Sequence, residues 1–284
     1  MSPRLRVGLA AAAAVVTGAI IGLASLEPRL DRDWIPAQQV APIATFDGRF
    51  VRIANQRAFR FTAPGAFTRQ YVDRTYDLDK LESVSYVLTP FSLRWRGPAH
   101  SFVTFGFADS QFVSISVEAR REVGEEYDIL KGLFRRFELM YVIGDERDLI
   151  GQRAAFGDDR VYLYPVKAPN ERVRSMFVAM LERANRIHAE PEFYNTATNN
   201  CTSNVVAHVN AIVPELVPLS FKTVLPGYSD ALALKLELFD TGLPLKLARA
   251  KYRINARASR FLNDSLFSFM IRESTTATPA PERQ

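Results

Sequence analysis

The chain has 284 residues, 48% of them hydrophobic and 24% charged, with a formal net charge of +5. That is ample for a sizeable core and ordinary for a globular protein. The positive charge is mild, mostly arginine, and never runs between aromatic residues, which argues against a nucleic-acid partner. One cysteine and three scattered histidines, His100, His188 and His208, offer no metal-ligand spacing. Neither a metal nor another cofactor is expected.

Arg4 and Arg6 precede residues 7–26, which carry no charge. About 20 apolar residues match a bilayer core of roughly 30 Å. No clean cleavage site ends the segment, Gly22-Leu23-Ala24 being a weak one, so an uncleaved anchor is favoured over a signal peptide. The leading arginines place the amino end in the cytoplasm and the bulk outside. This predicts a single-pass inner-membrane protein with its domain in the periplasm. Residues 27–45 read as a juxtamembrane linker, with Trp34 at head-group level or packed on the domain. Residues 46–226 read as the main domain, 227–273 as a helical extension, and 274–284, rich in Thr, Pro and Ala, as a disordered tail.

Within the domain, residues 46–61 alternate around Asp47-Gly48, a turn between short strands. Residues 71–82 read as a polar connector, and 83–95 as strand broken by Pro90. Residues 100–107 and 111–119 flank Ala108-Asp109-Ser110 as a hairpin. Val103, Phe105 and Phe107 share one face with Val113, Ile115, Val117 and Ala119 opposite them, leaving a polar strip on the other face. Pairing Phe107 with Gln111 sets Thr104 against Ser114 and His100 against Glu118. Residues 137–143 form a further strand, ended by the charged turn Gly144-Asp145-Glu146-Arg147-Asp148. Residues 160–164 form another, stopped by Pro165. Asn170 caps a helix through His188, with Val173, Phe177, Met180, Leu181 and Ala184 on its core face. A helix then follows Cys201 to Val213, closed by Pro214 and Pro218. Residues 232–239 and 243–269 look helical and basic, either packed on the domain or touching the membrane.

Cys201 is the only cysteine. In an extracytoplasmic chain an unpaired cysteine is a reactive thiol or an intermolecular bridge. Placed in the first turn of a helix, it meets free N–H groups and the positive end of the dipole, which favour the thiolate. The same N–H groups suit the oxyanion of a tetrahedral intermediate. A buried structural cysteine is the plainer alternative, but the neighbours Asn199, Asn200, Thr202 and Ser203 are polar. The thiol needs a base, and the base an orienting partner. His100 and Glu118, facing each other across the hairpin, fill those roles, with Ser116 in reserve. His208 lies two helical turns beyond Cys201, about 10 Å away, too far for direct proton transfer. His188 reads as a surface histidine at a helix end. Ser116, Tyr194, Asn195, Asn200 and Thr202 are the candidate substrate-binding residues around this constellation.

The order of histidine on a strand, acid on the next strand and cysteine at a helix start resembles the circularly permuted papain-like, or NlpC-type, arrangement. Several phrases more closely resemble the Lnb-type periplasmic domain, the bacterial lipoprotein N-acyltransferase family. They include Ala99-His100-Ser101-Phe102, Ser116-Val117-Glu118-Ala119-Arg120-Arg121-Glu122, Gly132-Leu133-Phe134-Arg135 and Asp145-Glu146-Arg147-Asp148-Leu149. Val161-Tyr162-Leu163-Tyr164-Pro165, Phe193-Tyr194-Asn195 and Asn199-Asn200-Cys201-Thr202 complete the set, which runs from about Trp34 to Pro218. The resemblance implies an α+β fold, a permuted papain-like antiparallel sheet packed on helices, joined to the N-terminal transmembrane helix. It implies a thiol acyltransferase that forms an acyl-thioester on Cys201, with His100 as base and a phospholipid or lipoprotein as substrate at the inner membrane. Phe91, Trp95, Phe102 and Phe193 are candidates to line an acyl groove. A papain-like amidase acting on cell-wall peptides uses the same residues, and a non-catalytic binding protein is the third reading.

Overall fold

Alternating residues in the middle of the chain build one sheet whose two faces are both covered by helices. The computed structural model describes residues 2–92, 97–157, 159–218 and 220–273. Trp95 and the 274–284 tail lie outside the described residues. The helix α1 (Pro3–Ala24) is 22 residues long and exposed, and an 18-residue window within it has a mean hydropathy of 2.2. It is long and apolar enough to cross a membrane.

Strands β1 (Ile43–Asp47), β2 (Phe50–Arg57), β5 (Tyr71–Asp77), β6 (Leu81–Pro90), β7 (Ala99–Phe107), β8 (Phe112–Arg120), β9 (Glu138–Gly144) and β10 (Tyr162–Pro165) form the sheet. Its order is β1-β2-β9-β8-β7-β6-β10, with β5 also on β2. The strands β3 (Arg60–Ala63) and β4 (Ala66–Thr68) make a separate hairpin. Pairing is antiparallel except where β2 meets β9 at Arg57 and Gly144. There the backbones approach closely: Asp145 N donates to Arg57 O at 2.9 Å, and a Cβ on Gly144 would lie 3.0 Å from that same oxygen. At the β1–β2 turn, Gly48 takes φ +58, as the Asp-Gly pair predicts.

The helix α4 (Asn170–Ala189) lays Val173, Phe177, Met180, Leu181 and Ala184 on the face carrying Val103, Phe105, Val113, Ile115 and Val117. The expected cap differs by one position, since Pro169 precedes the helix and Asn170 is its first residue. The opposite face, read from the sequence as a polar strip, is equally buried. Phe102, Met140 and Val142 pack there with Ile150, Ala154, Ile254, Ala258 and Phe267. Thr104 and Ser114 are fully covered. The second layer comes from α2 (Glu146–Leu149), α3 (Gly151–Phe156) and the C-terminal helices Asn255–Phe261 and Phe267–Met270. The basic C-terminal stretch therefore consists of short helices docked on the domain.

Two other expectations change. Residues 71–82 contain the strand β5, which hides from alternation because its middle residues face solvent. Residues 27–45 are no free linker: Trp34 is 4% exposed, bridges to Glu122, and lies under the Arg120 guanidinium at 4.3 Å, and residues 43–45 belong to β1.

The charged turn 145–148 is the third case, because its three carboxylates are paired and two of them, Glu146 and Asp148, are buried. Arg57 meets the Asp148 carboxylate through Nε at 2.9 Å and Nη2 at 2.6 Å, while Phe59 N donates to the same carboxylate at 2.8 Å. Glu146 takes Arg272 at 2.5 Å and the Thr104 hydroxyl at 2.5 Å. Asp148→Ala strands the Arg57 charge in the interior and is expected to cost about 3–5 kcal/mol. Removing the exposed Arg52–Asp73 pair is expected to cost no more than about 1 kcal/mol. Urea melts of the two variants check the contrast.

Candidate active site

The β7–β8 hairpin has the register the alternation predicts, with Thr104 opposite Ser114 and Phe107 N bonded to Gln111 O at 3.0 Å. Pairing between the two strands ends at Val103 and Ile115; beyond it His100 pairs with Thr89 of β6 and Glu118 with Met140 of β9. Ser116 fills the space left between the two side chains. His100 Nε2 lies 2.7 Å from Ser116 Oγ, which donates to Glu118 Oε1 at 3.1 Å. Glu118 Oε1 is itself 3.7 Å from Nε2. The serine and the glutamate thus act in series rather than as alternatives. A hydroxyl that donates to the carboxylate accepts from the ring, which puts the proton on Nε2 and leaves Nδ1 as the basic nitrogen.

Burial, helped by the Arg153 charge and opposed by Glu118, pushes the His100 imidazole down to about 3. The ring is therefore neutral at pH 7. Burial alone would raise the Glu118 carboxyl, but Arg153, His100, Arg57 and a hydrogen bond from Gln38 outweigh it and hold it at about 2. Arg153 Nη2 sits 3.4 Å from Glu118 Oε1, and Gln38 Nε2 donates to Glu118 Oε2 at 3.0 Å and to Ala119 O at 3.1 Å. Neither Gln38 nor Arg153 was singled out in the sequence. Gln38 lies 80 residues from its partner, in the stretch read as linker, and no local pattern marks it.

Cys201 is the first residue of α5 (Cys201–Ile212) and is 4% exposed. Asn200 makes the helix start there. Its Oδ1 accepts from Thr202 N at 2.9 Å and Ser203 N at 2.8 Å, and Ser203 Oγ in turn accepts from Asn200 N at 2.8 Å. This reciprocal cap satisfies the first-turn donors. It also revises the expected oxyanion site, because those N–H groups are occupied. Among the described residues only the N–H of Cys201 itself is left in that turn.

His100, Glu118 and Cys201 line one cavity of 170 Å³, together with Gln38, Arg153 and Tyr194. Burial, with Cys201 and Tyr127 adding to it, pushes the Tyr194 phenol up, so its hydroxyl stays protonated. The other expected substrate contacts are engaged in the framework. Asn200 is the cap, and its Nδ2 donates to Thr196 O at 2.7 Å. Thr202 Oγ1 is tied to Ser101 Oγ at 2.8 Å and lies 3.8 Å from the Cys201 sulfur. Asn195 lies outside this cavity and braces the preceding turn, accepting from Ala197 N and Thr198 N. Of the aromatic residues expected in one acyl groove, Phe91 lines the cavity, Phe102 is buried in the core, and Phe193 lines a separate hollow beside Arg135. They do not form a common groove. His208 is held by the Tyr141 hydroxyl at 3.1 Å, and His188 is exposed.

The family model of the Lnb N-terminal periplasmic domain matches residues 67–227. The chain belongs to this family. The match covers His100, Ser116, Glu118, Arg153 and Cys201 and excludes Gln38, which this Lnb-type chain brings from the segment following α1. It begins later and ends later than the span the sequence phrases suggest. No curated protein and no solved structure matches the chain.

The buried neutral histidine has a consequence for stability. A group whose folded-state pKa is depressed below its ordinary value of 6.5, here to about 3, contributes stability that is intact above pH 6.5 and lost as pH falls toward 3. The melting temperature of the wild type is expected to drop between pH 6.5 and 4. His100→Gln removes one such group and should flatten that drop. Glu118 adds its own loss only below pH 4.5, as pH approaches about 2.

Proposed function

We propose that this Lnb-type domain is a membrane-tethered periplasmic thiol acyltransferase with a permuted papain-like constellation. Cys201 is the nucleophile and His100 the base, with Ser116 and Glu118 orienting and stabilising that base. The observation that supports this reading is the shared cavity, whose lining includes both the lone thiol and an imidazole bonded to Ser116.

In the proposed reaction, His100 Nδ1 takes the proton of the Cys201 thiol, and the thiolate attacks the carbonyl carbon of an acyl ester. The tetrahedral intermediate collapses to a thioester, and His100 returns its proton to the departing alkoxide. An amine then attacks the thioester; His100 takes a proton from the attacking nitrogen and passes it to the leaving thiolate. Glu118, acting through Ser116, stabilises the imidazolium in each half-reaction. The Cys201 N–H and the Tyr194 hydroxyl are the donors closest in role to an oxyanion hole.

A lipid or lipoprotein substrate is supported by what surrounds the end of α1. Arg135 Nη1 donates to the carbonyls of Leu23 at 3.1 Å and Ala24 at 3.4 Å, tying the domain to that helix end. The same loop exposes Leu130 at 65% and Phe134 at 57%, and it also supplies Arg121 and Tyr127 to the Cys201 cavity. An inner-membrane anchor would hold the thiol near outer-leaflet lipid and raise its effective concentration there. One observation favours a second reading, an amidase or peptidase: Gln38, Arg121 and Arg153 give the cavity polar walls.

Mass spectrometry of the full chain purified with native lipids is expected to find a hydroxylamine-labile acyl group on Cys201. The adduct should accumulate when amine acceptors are withheld, vanish in Cys201→Ala, and form at least about a hundredfold more slowly in His100→Ala. Rapid loss of the adduct to water with no transfer to added amine would select the hydrolase. A thiol that stays unmodified and inert to alkylating probes would overturn both.

A further inference from the structure

Behind the active-site helix lies a second, larger cavity that the proposed chemistry does not use. It measures 270 Å³ and is lined by residues of β6, β7, α4, α5 and the stretch 213–239. That is just under the roughly 300 Å³ at which small-molecule sites usually begin. Its walls are almost wholly aliphatic, with Val173 and Met176 from α4, Val205 and Val209 from α5, and Leu232 and Ala233 opposite them.

The few polar groups in its depths are already satisfied. The Tyr86 hydroxyl pairs with Ser229 Oγ at 2.8 Å, and Ser229 donates to Pro226 O at 2.6 Å. Thr202 Oγ1 is bonded to Ser101, and Thr223 Oγ1 donates to Ser220 O at 2.7 Å. Water needs two to four polar partners to be held in such a space, so these walls favour hydrocarbon over water. A polar ligand would likewise find no free partner at the inner end.

The mouth has a different character. Lys167 and Arg172 are the exposed residues in the lining, every other one being buried or half-buried. Among the described residues, neither side chain makes a hydrogen bond or an ion pair. A largely aliphatic pocket with two unengaged, exposed cations in its lining is complementary to one alkyl chain ending in an anion. Arginine presents a planar fork that takes a carboxylate through two parallel hydrogen bonds.

We infer that the cavity behind α5 binds a medium-chain fatty acid, its chain among Val205, Val209 and Ala233 and its carboxylate between Lys167 and Arg172. The site does not depend on the chemistry proposed for Cys201, which is absent from its lining. Thr202, bonded to Ser101, belongs to the lining and is the residue next to the thiol. Fatty acid bound here therefore abuts the first turn of the active-site helix without entering the active-site cavity.

A dodecanoate carrying a diazirine on its chain, photolysed with the full-length protein in phosphatidylcholine nanodiscs, tests the inference. Labelling should saturate and map by mass spectrometry to α5 and residues 229–239. Unlabelled dodecanoate should compete, and dodecanol should need about tenfold more to do so, since it lacks the charge-assisted contact. Lys167→Glu combined with Arg172→Glu, two surface changes that spare the core, should weaken labelling by at least about tenfold, the scale of losing such contacts. Val209→Trp, which fills the chamber, should abolish it. Cys201→Ala should leave labelling unchanged, so loss of the acyl-enzyme and loss of this site are separate results. Label confined to α1, equal competition by dodecanol, or undiminished labelling in the charge-reversed protein would overturn the inference.

Discussion

The pairing of Thr104 with Ser114 governs which side chains come together at the candidate site. Side chains on a strand alternate between faces, so one residue of slip would turn His100, Ser116 and Glu118 away from one another. With the register as it stands, the three form a hydrogen-bonded line ending in a ring nitrogen that carries no proton. Because β7 and β8 stop pairing after Val103 and Ile115, that line includes a serine rather than a direct histidine–carboxylate contact. The strands part, and the small hydroxyl bridges the gap.

Burial of the hairpin's polar face sets the electrostatics. Were that face open to water, His100 would titrate near its ordinary value and Glu118 would be screened. Covered by α2, α3 and the C-terminal helices, each charge there needs a counter-charge. Arg153 serves Glu118, Arg272 serves Glu146, and Arg57 serves Asp148. The arginine that stabilises the glutamate also disfavours a proton on His100, so the same layer that closes the core keeps that imidazole neutral. The C-terminal helices take part in this through Arg272 and are thus coupled to the site's environment, although none of their residues lines the cavity.

Legibility in the sequence followed how local the cause was. Strands β7 to β10 and the helix α4 show as alternation or as a helical stripe because one face of each packs on an apolar layer. The helix start at Cys201 shows because its cap, Asn200, is the adjacent residue. The strand β5 was missed because Arg74 and Thr75 face solvent and its pattern breaks there. Gln38 and Arg153 were missed because their contacts with Glu118 close over long stretches of chain. The turn at 145–148 shows as charged, but a sequence does not announce that Arg57 and Arg272 will arrive as partners. Among the candidates for an acyl groove, Phe91, Trp95, Phe102 and Phe193, the described three lie apart for a related reason: aromatic residues are as useful to a core as to a ligand, and Phe102 went to the core.

The account rests on His100 acting on the Cys201 thiol. The most direct measurement is the rate of iodoacetamide alkylation of Cys201 at pH 7, followed by intact mass in the full-length wild type and in His100→Ala. The account predicts that the variant, melting normally, reacts about a hundredfold more slowly, the scale of a lost general base. Equal rates in the two proteins would contradict it.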